Sequence, residues 1–441
     1  MTDILLVQSP NPILYSPKSI EIAENSSPPL GISYLASYLR LHGFSVAIAD
    51  LHIELKRPKD IRSFMDWHSP SVIGISSNTV TYPCLRQTVL EIRKLSPSIP
   101  IILGGMHPSA LPEEVLSENE ADFVVRGEGE FTLLELVESL LKSGQDIEHI
   151  KGISYRHNGT IFHNPDRPCI EDINTIPFPA RDLLPLDAYI QKGSMISSRG
   201  CPIRCIFCAC GAFSGFSYRI RSAGNIIDEI EGMIQYFDIQ DFTFQDDTFT
   251  LYPSRVKAIC TEIIKKGWEI QWGCQSRVSS ITAELTDIMV ASGCKAIQFG
   301  VESGNQDILN QSKKRIRIDQ VIETVKIARQ SGIEDISCSF IVGHPGDTER
   351  TIRETIDFAK SLKELGATHT PFTIMTPLPG TDIFLEPEKY GLTITDKNWE
   401  EYTFSRAHLQ TRHFSKEEIE DLYFDALWET IPSVNLFFHS V

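Results

Sequence analysis

Short apolar runs alternate with segments of helical periodicity along almost the whole chain, and this alternation restricts the fold more than any other feature. In the first third, Asp3–Gln8, Phe44–Asp50, Ser71–Ser76, Ile99–Gly104 and Asp122–Val125 read as buried strands. Between them, Leu30–Leu41, Leu85–Leu95, Leu111–Glu118 and Glu130–Leu141 read as amphipathic helices. Such an order needs crossover connections, and therefore a parallel sheet covered on both faces. The alternation resumes at residue 194, with strands expected at Ser194–Ser198, Asp241–Gln245, Trp268–Gly273, Lys295–Gly300, Asp335–Val342 and Thr368–Met375. The helices between them are Asn225–Phe237, Pro253–Lys266, Thr282–Ser292, Ile318–Ser331 and Thr348–Leu365. Pro253 and Thr282 suit helix starts, and Gly267, Gly293, Gly332 and Gly366 suit helix ends. Six strand–helix repeats are short of the eight that close a barrel, so a three-quarter barrel, open on one side, is expected.

The expected class is α/β: a doubly wound, Rossmann-like parallel sheet over residues 1–145, then a partial (β/α)6 barrel over 191–385. Residues 146–190 read as a connector, with a hairpin turning at Asn158-Gly159 and then a run containing Pro165, Pro168, Pro177, Pro179 and Pro185. Residues 386–441 read as a cap, helical around Ser415–Thr430, with Phe437, Phe438 and His439 expected in terminal packing.

Composition narrows the function. With 41 basic and 58 acidic residues the net charge is −17, which opposes general binding to nucleic acid or an anionic membrane. No apolar run reaches the length of a membrane span and no signal pattern opens the chain, so a cytoplasmic protein is expected. Ten cysteines are too few for a disulfide scaffold of this size. Three of them, Cys201, Cys205 and Cys208, crowd into one loop.

The ends of the strands are where open parallel sheets and barrels carry chemistry. In the first third these ends hold Ser76-Ser77-Asn78-Thr79, Gly104-Gly105-Met106-His107 and Arg126-Gly127-Glu128-Gly129. Small hydroxyl residues and paired glycines admit close backbone approach to a large ligand, though Gly104-Gly105 also suits a plain strand-to-helix turn. No G-x-G-x-x-G follows the first strand, which disfavours a dinucleotide fold. In the barrel the ends carry, in order, the cysteines, then Gln245, Asp246 and Asp247, then Gln275 and Arg277, then Glu302, then Gly343, His344 and Pro345, then Thr376 and Pro377. Polar or metal-binding groups at every end point to one site.

Thiolates are soft ligands for zinc or iron–sulfur clusters. Structural zinc takes four ligands, usually from two paired motifs, and no matching pair follows Cys201-x-x-x-Cys205-x-x-Cys208. Cys210 would make an awkward fourth thiolate so close to Cys208. Three ligands in one loop leave one iron of a cluster open, which favours catalysis over electron storage.

The run Ser197-Ser198-Arg199-Gly200-Cys201-Pro202-Ile203-Arg204-Cys205-Ile206-Phe207-Cys208 resembles the signature of radical S-adenosylmethionine (SAM) enzymes. The likeness extends to Phe242–Phe249, Phe299–Gly304, Gly343–Thr348 and Thr376–Thr381, and covers about residues 190–385. Upstream, Pro28–Ala36, Gly104–Pro108, Leu111–Glu114 and Val125–Glu130 resemble the cobalamin-binding domain that precedes many such enzymes. One departure stands out: Gln8-Ser9-Pro10-Asn11-Pro12 replaces the D-x-H-x-x-G of domains that ligate cobalt through histidine, and Asp50-Leu51-His52 supplies only D-x-H, after the wrong strand. Histidine ligation of cobalt is therefore not expected.

The resemblance implies that Cys201, Cys205 and Cys208 hold a [4Fe–4S] cluster whose fourth iron is chelated by SAM. Reductive cleavage of SAM then gives a 5′-deoxyadenosyl radical. It further implies Phe207 beside the adenine, Asp246 or Asp247 on the ammonium of SAM, Arg277 on its carboxylate and Glu302 on ribose hydroxyls or the ammonium. Structural salt bridges across the barrel mouth are the alternative for those four. Ser76, Ser77, Asn78, Thr79, Gly104, Gly105, His107, Gly127 and Glu128 are the residues implied for cobalamin, and His344 is expected on the surface of its turn. Cys84, Cys169, Cys260 and Cys294 read as buried or partly exposed thiols, whereas Cys274 and Cys338, in or beside barrel strands, could alternatively return a hydrogen atom to a substrate radical.

The activity implied is cobalamin-dependent methyl transfer to an unactivated carbon or a phosphinate-type phosphorus centre of a small molecule or peptide. An external low-potential donor such as flavodoxin or ferredoxin would feed the cluster. A radical dehydration, epimerisation or ring rearrangement, in which the N-terminal domain need not hold cobalamin, is the second reading. A non-catalytic metal-binding or electron-transfer protein is the third, opposed by the polar groups at every barrel strand end.

Overall fold

The computed structural model describes residues 2–10, 27–53, 60–143 and 146–430. Asn11 and Pro12 of the first strand's tail, and Phe437, Phe438 and His439, lie outside the described residues. The chain forms two units, Met1–Ile196 with Ala212–Arg221, and Ser197–Gly211 with Ser222–Val441. No helix among the described residues is long and apolar enough to cross a membrane.

The first unit is built on a sheet of β1 (Ile4–Gln8), β2 (Val46–Asp50), β3 (Val72–Ser76), β4 (Ile101–Gly104), β5 (Phe123–Val125), β6 (Ile153–His157) and β7 (Thr160–His163). Its order is β2-β1-β3-β4-β5-β6-β7, with the first five strands parallel. This is the doubly wound order, whose direction of winding reverses between β1 and β3 and opens a crevice there. The strands are apolar in both registers because helices cover both faces: Ile4, Leu5, Leu6 and Val7 are all buried. One face packs Ile4, Leu6, Ile48 and Val72 against α1 (Leu30–Leu41) and α6 (Glu130–Glu138). Each such side chain contributes about 1.5–3 kcal/mol on leaving water.

The intervening helices are α2 (Ile61–His68), α3 (Tyr82–Leu95), α4 (Met106–Ala110) and α5 (Pro112–Glu118). The sequence pattern missed α2 because only Ile61 of it is buried; its start is fixed locally instead, by Asp60 accepting from the Ser63 N–H at 3.0 Å. The hairpin expected in the connector belongs to this sheet. Its strand β6 pairs antiparallel with β5, through Phe123↔Tyr155 and Val125↔Ile153, and Asn158 and Gly159 turn it with φ of +50° and +79°. The proline-rich run likewise contributes to the core, since Ala180, Leu184 and Tyr189 join the cluster under α1.

A second sheet takes its six strands in chain order: β8 (Gly193–Met195), β9 (Asp241–Phe244), β10 (Gln271–Ser276), β11 (Cys294–Glu302), β12 (Asp335–Val342) and β13 (Phe372–Ile374). The pairings from β9 to β13 are parallel. The helices between are α7 (Ala223–Phe237), α8 (Pro253–Lys266), α9 (Ala283–Ala291), α10 (Gln306–Gln311), α11 (Ile318–Gln330) and α12 (Glu349–Glu364). Sequential order, parallel strands and one covering layer of helices make the partial (β/α)6 barrel. Its punctuation follows the expected chemistry. Thr282 and Thr348 accept from Leu285 N–H and Thr351 N–H, and Gly267, Gly293, Gly332 and Gly366 all take positive φ. Strand β10 starts three residues later than expected, at Gln271. The C-terminal helix α13 (Lys416–Thr430) lies beside α12, where its Glu429 takes both Arg353 and Lys360.

Candidate active site

The cysteine loop is positioned from both sides. Upstream, Asp246, two residues beyond the end of β9 at Phe244, accepts from the N–H of Ser197 at 2.6 Å, the N–H of Ser198 at 3.0 Å and the Ser197 hydroxyl. Arg255 in the first turn of α8 lies 3.7 Å from the same carboxylate and donates to the Ser197 carbonyl at 2.8 Å. Asp246 is 1 % exposed. Its oxygens are therefore taken up by Ser197 and Ser198, which lead into the loop, so that of the two carboxylates expected on the ammonium of SAM Asp246 is the one that clamps the loop.

Asp247 is exposed, and one oxygen takes the Cys210 thiol at 2.8 Å. The same bond binds Cys210 to a carboxylate instead of leaving it as a fourth ligand. Desolvation and the nearby Asp246 raise the Asp247 carboxyl.

Downstream, the buried Ile206 pins the middle of the loop, donating its N–H to Ser312 O at 3.2 Å and accepting from Ile383 N–H at 3.2 Å. The tight turn is closed by Cys208 N–H on Cys205 O, and Gly200 ahead of it takes φ of +83°. Cys201, Cys205 and Cys208 form no disulfide, and they lie close enough that charge on Cys201 raises Cys205 and charge on both raises Cys208. Cys205 is raised first by desolvation, against which Lys314 and Arg277 pull it down. The Cys205 and Cys208 thiols, both raised by burial, favour a cation that displaces their protons. Among the described residues no three Cys, His, Asp or Glu side chains converge on a point as for a single metal ion.

The basic run Lys313-Lys314-Arg315, which the sequence pattern passed over, ties the mouth together. Lys314 Nζ meets Glu302 Oε1 at 2.5 Å, both side chains being largely buried. Arg277 donates to Lys314 O at 2.8 Å, and the Cys205 thiol approaches Lys313 O at 3.9 Å. Glu302 sits at a register shift in β11 with φ of +72°, and Lys313 and Arg315 also have positive φ. Such strained positions on non-glycine residues cluster at functional sites. A Cβ on Gly300 would run into the Glu302 carboxylate and come within 2.7 Å of Lys314 Nζ, so glycine is what leaves room for the pair. The local signal for Lys314 was a short basic run directly after the Glu302 segment. For Arg255 it was a cation in the first helical turn, where the helix dipole opposes it unless a carboxylate is near.

His344 is an internal strut, not the surface of its turn. It is 1 % exposed, with Nδ1 2.9 Å from Ser312 Oγ and Nε2 3.3 Å from Glu302 O, and burial lowers its pKa to about 4. Phe207 presents to it edge-on, with ring centroids 6.0 Å apart. The turn itself is held by Asp347, which accepts from Gly343 N–H at 3.0 Å, His344 N–H at 2.8 Å and Thr351 Oγ1 at 3.0 Å. Desolvation outweighs these bonds and pushes the Asp347 carboxyl up to about 7. The folded protein then keeps a proton that the unfolded chain loses above about pH 4. Stability should therefore fall as pH rises from about 4 to about 7 and level off above that. Asp347→Asn removes this slope, so melting curves of the two proteins across that window should converge or cross; parallel trends would refute the assignment.

Cys274 and Cys338 lie in the buried register of β10 and β12, the one that faces the helices, with Trp272 and Phe340. Packing is thus their role, and hydrogen-atom return from that side is not supported.

In the first unit the strand ends divide into open backbone and engaged side chains. A Cβ on Gly105, whose φ is +95°, would strike the Ser77 carbonyl oxygen and lie 2.9 Å from Ser77 N, while one on Gly127 would meet nothing within 4 Å. Ser77 and Asn78 spend their side chains on the turn into α3, through Ser77 Oγ with Thr81 Oγ1 at 3.0 Å and Asn78 Oδ1 accepting from Thr81 N–H at 3.0 Å. His107 is buried and stacked on Tyr82 with ring centroids 4.0 Å apart, its Nδ1 3.3 Å from Thr79 Oγ1; burial lowers its pKa to about 3. Glu128, implied for cobalamin, pairs with Arg219 at 2.7 Å and accepts from Ile170 N–H at 2.7 Å, so it is an internal brace. Asp50 of the partial D-x-H accepts from Tyr189 Oη at 2.7 Å. What Ser76, Gly104, Gly105 and Gly127 leave is a side-chain-poor rim at the ends of β3, β4 and β5, suited to a broad flat ligand.

The family model for the Radical SAM superfamily matches residues 195–359, and that for the B12 binding domain matches residues 21–137. An uncharacterized methyltransferase of Pyrococcus horikoshii is 35 % identical over 408 residues, spanning 91 % of this chain and 87 % of that protein. The anaerobic magnesium-protoporphyrin IX monomethyl ester cyclase of Rubrivivax gelatinosus is 28 % identical over 421 residues, or 92 % of this chain and 74 % of that one. Among solved structures, the radical SAM methyltransferase TsrM of Kitasatospora setae, with cobalamin and a [4Fe–4S] cluster bound, superposes with a TM-score of 0.78 at 19 % identity, over 99 % of this chain and 90 % of that one. This last likeness carries the fold. Taken with the three-cysteine loop at the mouth of a partial barrel, these matches establish that the chain belongs to the radical SAM superfamily, in the group that also carries a B12-binding domain.

Proposed function

We propose that this enzyme is a cobalamin-dependent radical SAM methyltransferase acting on a small molecule. The observation that carries the reading is the pairing of a B12-binding domain with the three-cysteine barrel, in a chain whose 35 % identical relative over nine-tenths of its length bears a methyltransferase name.

Cys201, Cys205 and Cys208 would hold the [4Fe–4S] cluster. Asp247, Arg277 and Glu302 would receive SAM, and Phe207 would flank it. The rim of Ser76, Gly104, Gly105 and Gly127 would face cobalamin. When bound, these groups supply reductive cleavage of SAM to a 5′-deoxyadenosyl radical and a carrier for the methyl group, fed by an external low-potential donor such as flavodoxin or ferredoxin.

The chain's own residues do the positioning. Asp246 and Arg255 fix the entry to the loop, and Ser312 and Ile383 fix its middle. Lys314 holds Glu302 in its strained conformation, and Arg277 adds a cation near Cys201 and Cys205. Together the two cations offset the negative charge that three thiolates would concentrate there.

A second reading, radical chemistry without methyl transfer, draws support from the 28 % identical relative named as a cyclase. Anaerobic reconstitution with iron, sulfide, cobalamin, SAM and a reductant separates the two. Methyl transfer yields both S-adenosylhomocysteine and 5′-deoxyadenosine. Deoxyadenosine alone, from protein that retains no cobalamin, would favour the second reading.

A further inference from the structure

The face of the barrel sheet turned away from the described helices carries a level row of uncharged hydrogen-bonding groups that nothing in the site above uses. In β9 to β12 the buried register packs Phe242, Trp272, Phe299 and Phe340 toward the helices, and the alternate residues face the other way. In that alternate set, Gln275 on β10 stands opposite Gln298 on β11, and Gln298 stands opposite Ser337 on β12. Both glutamines are exposed, and neither side-chain amide meets a hydrogen-bond partner among the described residues.

The floor around them is cleared. Below the row Gly273 pairs with Ala296, and above it Gly300 pairs with Ser339. Two amides therefore stand up from a flat surface, with small residues on either side along the strands. At about 3.3 Å per residue, Gln275 lies about 7 Å along its strand from Arg277, and Gln298 about 13 Å along its own from Glu302. The row thus sits one step below the mouth where the cysteines, Lys314 and Glu302 gather. Apart from Glu302 at the mouth, the charged residues of these strands, Asp241, Lys295 and Asp335, lie at their opposite ends, and Lys295 is paired with Glu334.

We propose that Gln275, Gln298 and Ser337 form the substrate-recognition row, and that they select an uncharged group with both donor and acceptor, such as an amide or a lactam. The chemistry follows from the side chains. A primary amide presents N–H donors and a carbonyl acceptor about equally and carries no charge. A carboxylate placed against it would lose its hydration without gaining a cation, whereas a neutral amide exchanges like bonds for like. Polar groups that must be matched discriminate more strongly than apolar walls. This inference rests on the enzyme reading above and adds the kind of substrate it takes.

The test uses the reconstituted, SAM-loaded full chain and two matched probes, nicotinamide and nicotinate, in saturation-transfer NMR at equal concentration. Nicotinamide is expected to receive at least threefold more saturation than nicotinate. The double substitution Gln275→Leu with Gln298→Leu is expected to erase that difference, in protein whose cluster absorption and melting temperature report an intact fold. Equal saturation, preference for nicotinate, binding of neither, or a preference that survives the double substitution would each overturn the proposal. The enzyme reading stands or falls separately, on formation of the cluster and of 5′-deoxyadenosine by the unsubstituted protein. If those appear and the neutral preference does not, only the recognition row is lost.

Discussion

Cys201→Ala is expected to reduce 5′-deoxyadenosine formation at least a hundredfold and to remove the broad visible absorption of the reconstituted cluster, with little change in the fold. The loop that carries Cys201 is anchored by backbone bonds at Ile206 and by the carboxylate of Asp246, neither of which uses the thiol. Loss of one sulfur therefore removes a ligand without removing the scaffold. A cluster held by three thiolates has none to spare, because the fourth iron must stay open for catalysis. Cys201→Ser tests whether the soft donor matters, since a hydroxyl preserves the size of the side chain but is a poor cluster ligand. A Cys201→Ala protein that keeps both its cluster absorption and its SAM cleavage would remove Cys201 from the ligand set. Far-ultraviolet circular dichroism of the same samples separates ligand loss from misfolding.

Asp246→Ala is expected to destabilise the barrel unit by about 3–5 kcal/mol, the range for removing one partner of a buried ion pair. For a unit of roughly 200 residues this is a fall in melting temperature of about 10 °C. The cost arises from what remains. Arg255 keeps a buried guanidinium with its carboxylate gone, and the N–H groups of Ser197 and Ser198 lose their acceptor. Cluster assembly should fail as well, because Ser197 and Ser198 lead directly into Cys201. Asp246→Asn retains the shape and one acceptor, so it should lose less stability than the alanine. Asp247→Ala, by contrast, should melt within about 2 °C of the natural protein, since Asp247 is exposed and its side-chain partner is a thiol rather than a buried cation. Thermal melts of the three variants decide the matter. Equal effects at 246 and 247 would show that the clamp has been misassigned.

Much of this protein is legible in its sequence. Helix α8 spans Pro253–Lys266 and strand β12 spans Asp335–Val342, both as periodicity places them. The elements that escaped lack a periodic signal: α2 buries a single residue, and α4 is one turn set by Gly105. The site divides in the same way. Residue type and spacing suffice for the cysteine motif, because its ligands share one loop. They do not suffice for Asp246 and Asp247, which are chemically equivalent neighbours until Ser197, 49 residues away, claims the first and Cys210, 37 residues away, claims the second.

Glu128 and His344 make the same point from opposite directions. Glu128, at a strand end where a ligand was expected, is engaged by Arg219, which lies 91 residues further along the chain. His344, expected on a turn surface, is the link between Ser312 and the carbonyl of Glu302.

By itself the sequence determined the alternation that makes a parallel α/β architecture, the helix starts and stops, and the three-thiol loop with its open ligand position. These are properties of neighbours along the chain: periodicity, capping and chelation all act within a few residues. Only the tertiary structure decided which carboxylate clamps and which faces solvent, that Lys314 and Gly300 shape the pocket around Glu302, and that Gln275, Gln298 and Ser337 stand level on one face. Each of those depends on burial and on partners brought together from distant loops or adjacent strands, and pairing at a distance has no local signal to read.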